Sequence, residues 1–362
     1  MTLALRLAAK GRGTTSPNPM VGAVVVSRGR IVGRAFHLRP GDPHAEILAL
    51  RNAGRRARGA TLYVTLEPCC HIKKRTPPCV PAIERSGVRR VVVAMTDPNP
   101  LVKGRGIAAL RRSGLPVTTD VARREAESLN QAYAHWIKTK RPYVILKAGM
   151  TLDGQIATSS GQSRWITGRQ ARQEVHQLRA QVDAVLVGIG TVVADNPSLT
   201  ARIGPRLNRP AGRQPLRVVV DSKLRIPLAA RALSGQHQAK TMVATTGSAP
   251  VARRKALRKQ GIDTVTLPSV RGRVSLPALL RELGRRGVTS LLVEGGSEIN
   301  SAMLKAGLVD HVRLYVAPAL LGGTDAKGVI GGMSPVRLVH ATKLRHVQIR
   351  PVGDDLLVEG DL

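Results

Sequence analysis

The stretch PGDPHAEILALRNAG (residues 40–54), with TLYVTLEPCCHIKKRTPPC (61–79) behind it, decides how the first part of this chain is read. Pro40 to Pro43 form a loop that cannot propagate helix, so HAEILALRNA starts a helix at His44, and Gly54 closes it. Thr61 to Leu66 is β-branched and apolar and reads as a strand; a cysteine loop follows, then a helix over Val80 to Ser86 ending at Gly87. Working outward, Val21 to Val26 and Arg30 to Ala35 read as two strands around an Arg28-Gly29 turn. Downstream come a strand over Arg90 to Met95, a helix over Gly104 to Ser113 and a strand near Val117. Strands alternating with helices through short links imply a layered α/β sandwich.

The same stretch carries chemistry. His44, Cys69 and Cys79 supply one nitrogen and two thiolates, the three-ligand set of a catalytic zinc that keeps a fourth position for water. Glu46 is the partner that takes the water proton and delivers it to a ring nitrogen and a leaving amine. Residues two apart on a helix point nearly opposite ways, so His44 and Glu46 share a site only at a helix start, which the Pro40 to Pro43 loop provides. Each residue alone has an ordinary reading, a loop histidine or small buried cysteines. His-x-Glu followed by two Pro-Cys pairs is the pattern of a zinc-dependent deaminase acting on a nucleobase-type ring. Cys70 is expected to be a neighbour and not a ligand.

Three cysteines in 362 residues cannot make a disulfide framework. The net charge of +34 would suit a nucleic acid, but the arginines are spread along the chain and aromatic residues are only 2%, too few for stacking platforms. The expected partners are phosphorylated small molecules, with no nucleic acid and no membrane. No apolar run is long enough to span a bilayer, and Arg6 and Lys10 interrupt the first apolar stretch, which reads as an amphipathic helix ended by Gly11 and Gly13. A soluble, cytoplasmic protein is expected.

Arg123 to Thr139 reads as one helix. The break at Lys138 to Pro142 divides the chain into expected domains 1–140 and 141–362. Strands in the second half are expected near Pro142 to Gly149, Ala184 to Val187, Arg217 to Asp221, Lys240 to Ala244, Ser290 to Glu294 and His311 to Val316, with a Pro-rich loop from Pro205 to Pro215. Gly188-Ile189-Gly190-Thr191 and Gly295-Gly296-Ser297 each follow a strand and could bring backbone amides to a phosphate, or be plain turns. No full G-x-G-x-x-G is present, which argues against a Rossmann site.

Between Cys69 and Cys79 lies CHIKKRTPP, far longer than the Pro-Cys-x-x-Cys spacing usual in tRNA and nucleoside deaminases. EPCCHIKKRTPPC, SPNPMVGAVVV (16–26) and DPNPLVKGRGI (97–107) closely resemble the bifunctional riboflavin-biosynthesis deaminase-reductases. So do LKAGMTLDGQIAT (146–158), GQSRWITG (161–168), GIGTVVADNPSLTAR (188–202) and LVEGGSEINSAML (292–304). The resemblance implies a cytidine-deaminase-like three-layer α/β/α domain followed by a dihydrofolate-reductase-like α/β domain, using Zn2+ and NADPH in a homo-oligomer. It implies deamination of 2,5-diamino-6-(5-phosphoribosylamino)pyrimidin-4(3H)-one to 5-amino-6-(5-phosphoribosylamino)uracil, then reduction of the ribosyl group to ribityl.

By motif match, Asn18 would bind the pyrimidine, with His71, Lys74 and Thr76 on the substrate side and Lys103 and Gly104 nearby. The family loop has a glycine where this chain carries Lys73-Lys74 and one residue more. Gly149, Trp165, Thr191, Asp195, Ser222 and the run from Gly296 would contact NADPH. Ser163, Arg179, Leu199, Arg202 and Glu294 would hold the sugar-phosphate substrate. Arg179 and Arg202 suit phosphate because guanidinium forks pair bidentately, though either could be a surface arginine, and Trp165 could be a core residue. Hydride transfer needs no protein nucleophile, so no catalytic acid is assigned in this half; Lys147 and Asp153 lie in the segment expected near the nicotinamide. The competing readings are a nucleic-acid deaminase with a basic accessory domain and a deaminase with an inactive reductase-like domain.

Overall fold

The computed structural model describes residues 1–72, 76–202 and 213–362. Lys73, Lys74 and Arg75 of the cysteine loop, and the part of the Pro205 to Pro215 loop up to residue 212, lie outside the described residues. The chain divides into two compact units, Met1–Lys140 and Arg141–Leu362.

In the first unit the elements are α1 (Thr2–Ala9), β1 (Gly22–Ser27), β2 (Arg30–Phe36), α2 (Ala45–Ala53), β3 (Thr61–Val64) and α3 (Val80–Arg85). They continue with β4 (Arg90–Val93), α4 (Arg105–Arg112), β5 (Val117–Thr118), α5 (Arg123–Leu129) and α6 (Gln131–Thr139). The sheet order is β2-β1-β3-β4-β5. β1 runs antiparallel to β2 and β3, while β3, β4 and β5 are parallel. The alternation in β1 sets the layers: Ala23 and Val25 face the core containing Ala45 and Ala49 of α2, and Val24 faces Ala4 and Leu7 of α1 on the other side. Both helices lie close because the sheet presents glycine beneath them. A Cβ on Gly22 would meet the Ala4 carbonyl oxygen at 2.0 Å, and one on Gly33 would meet that of Ala49 at 2.2 Å.

The helix expected over Arg123 to Thr139 is two helices, α5 and α6, broken at Asn130 (φ −104°, ψ 19°). The buried Asn130 amide accepts from Met20 N–H at 2.8 Å and donates to Met20 carbonyl oxygen at 3.0 Å, leaving helical geometry to satisfy backbone before β1.

The second unit holds β6 (Tyr143–Thr151), β7 (Gln155–Ala157), α7 (Arg169–Arg179), β8 (Ala184–Gly188), α8 (Ile189–Asp195), β9 (Leu216–Val220), β10 (Thr241–Thr245), α9 (Val251–Lys259) and β11 (Asp263–Thr266). After a short pair, β12 (Ser269–Val270) and β13 (Arg273–Val274), come α10 (Leu276–Arg285), β14 (Ser290–Val293), α11 (Ser297–Lys305), β15 (His311–Ala317), β16 (Lys327–Gly328), β17 (Arg345–Val352) and β18 (Asp355–Asp361). The large sheet has order β11-β10-β9-β8-β14-β6-β15-β18-β17. β11 through β15 are parallel, and the β17–β18 hairpin closes the sheet antiparallel. β11 and this hairpin went unmarked in the sequence: β11 is only four residues with one apolar side chain, and charged residues interrupt the hairpin strands.

Central strands are buried on both faces, as parallel strands under helices must be. Leu186, Val218 and Leu291 enter one core, and Val185, Val219 and Leu292 the other. β8 and β14 end at Gly188 and Val293, so the loops behind them, with α8 and α11, gather at the carboxyl edge of the sheet, where open α/β sheets bind ligands. Among the described residues no helix is long and apolar enough to cross a membrane.

Candidate functional site

The first unit gathers His44, Cys69 and Cys79, whose ligand atoms all lie within 4.8 Å of one another. His44 is the N-cap of α2 in extended geometry (φ −69°, ψ 160°), and Glu46 occupies the first helical turn, so both side chains reach one site. The Cys69 carbonyl accepts from Cys79 N–H at 3.0 Å and Val80 N–H at 3.3 Å, clamping the cysteine loop onto the start of α3. His44 Nδ1 lies 3.5 Å from Cys69 Sγ and 3.3 Å from Cys79 Sγ. Tetrahedral zinc bonds of about 2.3 Å to sulfur and 2.0 Å to nitrogen place such donors about 3.5 Å apart, so the set fits the ion. His44 Nε2 is held by Thr76 Oγ1 at 3.1 Å, which orients the ring with Nδ1 toward the sulfurs.

Glu46 is 3% exposed. Burial raises its carboxyl pKa and the His44 charge opposes that rise, which suits a group that both accepts and returns a proton. Cys70 is half-buried and outside the ligand set; burial, then the charges of Glu67 and Cys69, push its thiol pKa up. His71 and Gly104 line a neighbouring pocket with Cys70 and Arg105. Lys103 is exposed, and Lys74 lies outside the described residues.

Supporting residues the sequence did not single out stand behind this cluster. The buried His37 ring meets His44 edge-on at 5.3 Å between centroids, and its Nε2 lies 3.0 Å from Asn18 Nδ2, linking Asn18 to the metal cluster. The Glu67 carboxylate, 3% exposed, accepts backbone N–H bonds from Asp97, Gly104, Gly106 and Ile107 at 2.9–3.1 Å. It thereby ties the residue two before Cys69 to the start of α4. Its place immediately ahead of Pro68-Cys69 was the one available signal.

In the second unit a cavity of about 770 Å³ opens at the carboxyl edge of the sheet. Gly149, Ser163, Trp165, Arg179, Thr191, Asp195, Leu199, Arg202, Glu294 and Gly296 all line it. Ser222 does not: it follows β9, and its Oγ accepts from Val274 N–H at 3.0 Å. Trp165 is 68% exposed, which excludes the core role, and the Arg172 guanidinium lies 4.4 Å from its ring centroid. Leu199 has φ 55° with its side chain buried, so it presents backbone to the cavity. Asp153 is absent from the lining; its carboxylate accepts from Gly322 N–H at 2.7 Å and Leu321 N–H at 3.2 Å.

The floor of the cavity is ionic. Arg179 and Glu294 pair bidentately at 2.6 and 2.8 Å. Burial would raise the Glu294 pKa, but Arg179, then Lys147, override it and hold the carboxyl at about 2. Burial lowers the Lys147 pKa, and Glu294 pulls it back up. Arg202 Nη1 donates to Ser198 Oγ at 2.8 Å, and its Nη2 lies 2.9 Å from His176 Nε2. Burial, then the two arginine charges, lower the His176 pKa to about 4, so the ring is neutral. Ser163 Oγ donates to Asp195 at 3.0 Å. Two of the four glycines suggested as phosphate cradles have a packing reason as well: a Cβ on Gly188 or Gly295 would meet Ile299 at 2.7 or 2.6 Å. A Cβ on Gly190 meets nothing within 4 Å, and one on Gly296 approaches Thr191 Oγ1 at 3.2 Å.

Residues 1–95 match the family model described as cytidine and deoxycytidylate deaminase zinc-binding region, and residues 142–358 match that of the RibD C-terminal domain. The riboflavin biosynthesis protein RibD of Actinobacillus pleuropneumoniae is 42% identical over 99% of this chain and 93% of its own length. That of Escherichia coli is 43% identical over 98% and 96%. Among solved structures, Acinetobacter baumannii RibD superposes with a TM-score of 0.89 at 37% identity, covering 99% of this chain and 97% of that one. The Thermotoga maritima diaminohydroxyphosphoribosylaminopyrimidine deaminase/5-amino-6-(5-phosphoribosylamino)uracil reductase gives 0.86 at 36% identity, covering 100% and 97%.

Proposed function

Because the chain belongs to the RibD family, and is a bifunctional deaminase and reductase of riboflavin biosynthesis, we propose that Met1–Lys140 carries the deamination and Arg141–Leu362 the reduction, at the two sites described above. The substrate of the first step is 2,5-diamino-6-(5-phosphoribosylamino)pyrimidin-4(3H)-one. The product, 5-amino-6-(5-phosphoribosylamino)uracil, is the substrate of the second.

In the first unit His44, Cys69 and Cys79 hold Zn2+, which when bound supplies the Lewis acid that makes water a nucleophile near neutral pH. Glu46 would take one proton from the attacking water and give it to the ring nitrogen, then carry the second, from the newly formed hydroxyl, to the departing amine. Burial, which raises its pKa, suits it to both transfers. Asn18, fixed by His37, hydrogen-bonds the pyrimidine, and Thr76 keeps the His44 ring in register.

In the second unit NADPH supplies the hydride when bound, and the protein's task is orientation. Gly149, Trp165, Thr191, Asp195 and Gly296 line the cofactor side, and Ser222, just past the end of β9, completes the cofactor set, its Oγ accepting from Val274 N–H and keeping its own O–H to donate. Ser163, Arg179, Leu199, Arg202 and Glu294 form the sugar-phosphate side. Arg202 beside a neutral His176 meets the phosphate, and the Leu199 backbone and Glu294 meet the sugar hydroxyls. Substrates remain small molecules on this reading, with no nucleic acid, in a cytoplasmic homo-oligomer; the 2% aromatic content supports the first point.

The observation that carries the reading is His44 Nδ1 within 3.3–3.5 Å of two thiol sulfurs, with buried Glu46 beside it. Its test is to follow ammonia release and NADPH absorbance with the diaminopyrimidinone substrate. Glu46→Ala should abolish ammonia release but still oxidise NADPH when given the deaminated product. Arg202→Ala should release ammonia normally and lose most NADPH oxidation. No ammonia from the parent protein would remove the substrate assignment.

A further inference from the structure

His176 lies one turn before Arg179 on α7, half-buried, and lines the second cavity together with Arg202 and Arg231. Both of its ring nitrogens face Arg202. Nδ1 is 3.2 Å from the Arg202 backbone nitrogen, and Nε2 is 2.9 Å from Nη2 of the same residue. A backbone N–H can only donate, so Nδ1 accepts, and in a neutral ring the hydrogen then sits on Nε2. The ring is neutral, because burial, then the Arg179 and Arg202 charges, lower its pKa to about 4. The Thr200 carbonyl favours a ring proton, but it is shared, accepting also from Arg179 Nη1 at 3.2 Å. A guanidinium carries N–H groups only. Nε2–H and Nη2 are therefore two donors turned on each other at 2.9 Å, and neither satisfies the other.

An anionic oxygen between them accepts from both. We propose that His176 Nε2–H donates to the phosphate of the sugar-phosphate substrate, beside Arg202, and that this neutral donor makes the second cavity select a phosphate ester over a free sugar. The identity of the substrate rests on the reductase reading above; the phosphate contact itself does not.

The neighbouring cations leave this task to His176 and Arg202. Arg179 has already committed Nε and Nη2 to Glu294 and Nη1 to the Thr200 carbonyl. Arg202 donates Nη1 to Ser198 Oγ and turns Nη2 toward the ring. Burial, then the charges of Arg179 and Arg231, lower the Arg202 pKa, so like charges crowd here, while the Glu294 carboxylate is taken by Arg179. Among the described residues neither Arg202 nor Arg231 has a carboxylate partner. A phosphate monoester brings close to two negative charges and three acceptor oxygens, enough for the ring and the guanidinium together. NADPH carries a phosphate monoester as well, but His176 shares its helix turn with Arg179, on the sugar-phosphate side of the cavity.

Two variants of the full chain separate binding from support. His176→Asn keeps an acceptor near the Nδ1 position for the Arg202 N–H and removes the Nε2 donor, whereas His176→Gln reaches the Nε2 position and returns an N–H there. Titration calorimetry with ribose 5-phosphate should give a Kd weaker by about tenfold or more in His176→Asn, the effect of one hydrogen bond to a charged acceptor, and within about threefold of the parent in His176→Gln. Free ribose should bind all three proteins equally weakly. With 5-amino-6-(5-phosphoribosylamino)uracil, His176→Asn should raise KM for that substrate about tenfold and change kcat by less than about threefold, and KM for NADPH should not move. Nitrogen NMR of the free protein should find the ring hydrogen on Nε2. Equal ribose 5-phosphate affinity in the three proteins overturns the proposal. So does His176→Gln binding as weakly as His176→Asn, which would make the ring only a prop for Arg202, or a ring hydrogen on Nδ1. A KM shift for NADPH alone would give the phosphate to the cofactor and overturn it too. A parent that binds ribose 5-phosphate in the expected order but oxidises no NADPH keeps the phosphate contact and removes the reductase reading instead.

Discussion

Arg179 and Glu294, 115 residues apart in sequence, form a bidentate ion pair whose side chains are 13% and 9% exposed at the floor of the second cavity. Removing one partner of such a buried pair strands the other charge, which costs about 3–5 kcal/mol. Glu294→Ala should therefore lower the denaturation midpoint markedly, while Glu294→Gln, which keeps the shape, should cost less; urea unfolding of each variant decides this. Held at about 2, below its ordinary 4.5, Glu294 stabilises the fold above pH 4.5. That contribution, on the order of 3 kcal/mol, should be lost as pH falls from 4.5 toward 2, and should be absent from the acid limb of the Glu294→Gln variant.

At His176, burial and the Arg179 and Arg202 charges outweigh the opposing charge of Glu294. Its folded pKa of about 4 lies below the unfolded 6.5, so the unfolded chain binds the proton more readily and stability should decline as pH falls from 6.5 toward 4. NADPH oxidation should show no break near 6.5 attributable to this ring. An NMR titration of the imidazole checks both statements, and Arg202→Ala, by removing one of the two cations named, should move the midpoint upward.

Chelation should separate the two chemistries. With zinc stripped, ammonia release should vanish and return on adding Zn2+, while NADPH oxidation with the deaminated substrate should persist, because the cavity residues include no metal cluster among the described residues. Thr76→Val leaves the His44 ring without its Oγ1 partner and should weaken zinc affinity about 10–100-fold, read by competition with a chromogenic chelator.

Glu67→Gln replaces four-fold acceptance of backbone N–H by a group with one acceptor and two donors. Two or more buried N–H groups lose their partner, at about 1–3 kcal/mol each. The first unit should unfold at lower urea. At pH 7 its zinc content should fall with it, measurable by elemental analysis after dialysis.

Asn130→Ala should cost a similar amount, since both the N–H and the carbonyl of Met20 lose their side-chain partner inside the fold. Equilibrium urea unfolding followed by circular dichroism checks it.

What this sequence determined alone is local in its physics. Short β-branched runs such as Val24 to Val26, the Pro40 to Pro43 helix start, and the set His44, Glu46, Cys69, Cys79 follow from local sequence and from the donor chemistry of each side chain. Long-range pairing was decided by the tertiary structure. A helix that reads as continuous over Arg123 to Thr139 is broken because Asn130 finds Met20, 110 residues away. Asp153, in the segment expected near the nicotinamide, accepts instead from the backbone N–H groups of Leu321 and Gly322. His37 and Glu67 carried almost no mark in the sequence, since an isolated histidine or glutamate looks the same on the surface or under a metal site. Which of the many arginines becomes Arg179, paired and buried, depends on β8, β14 and β6 lying side by side in the sheet. Strand order is set by the free energy of burying both faces at once, and no window of neighbouring residues contains that quantity.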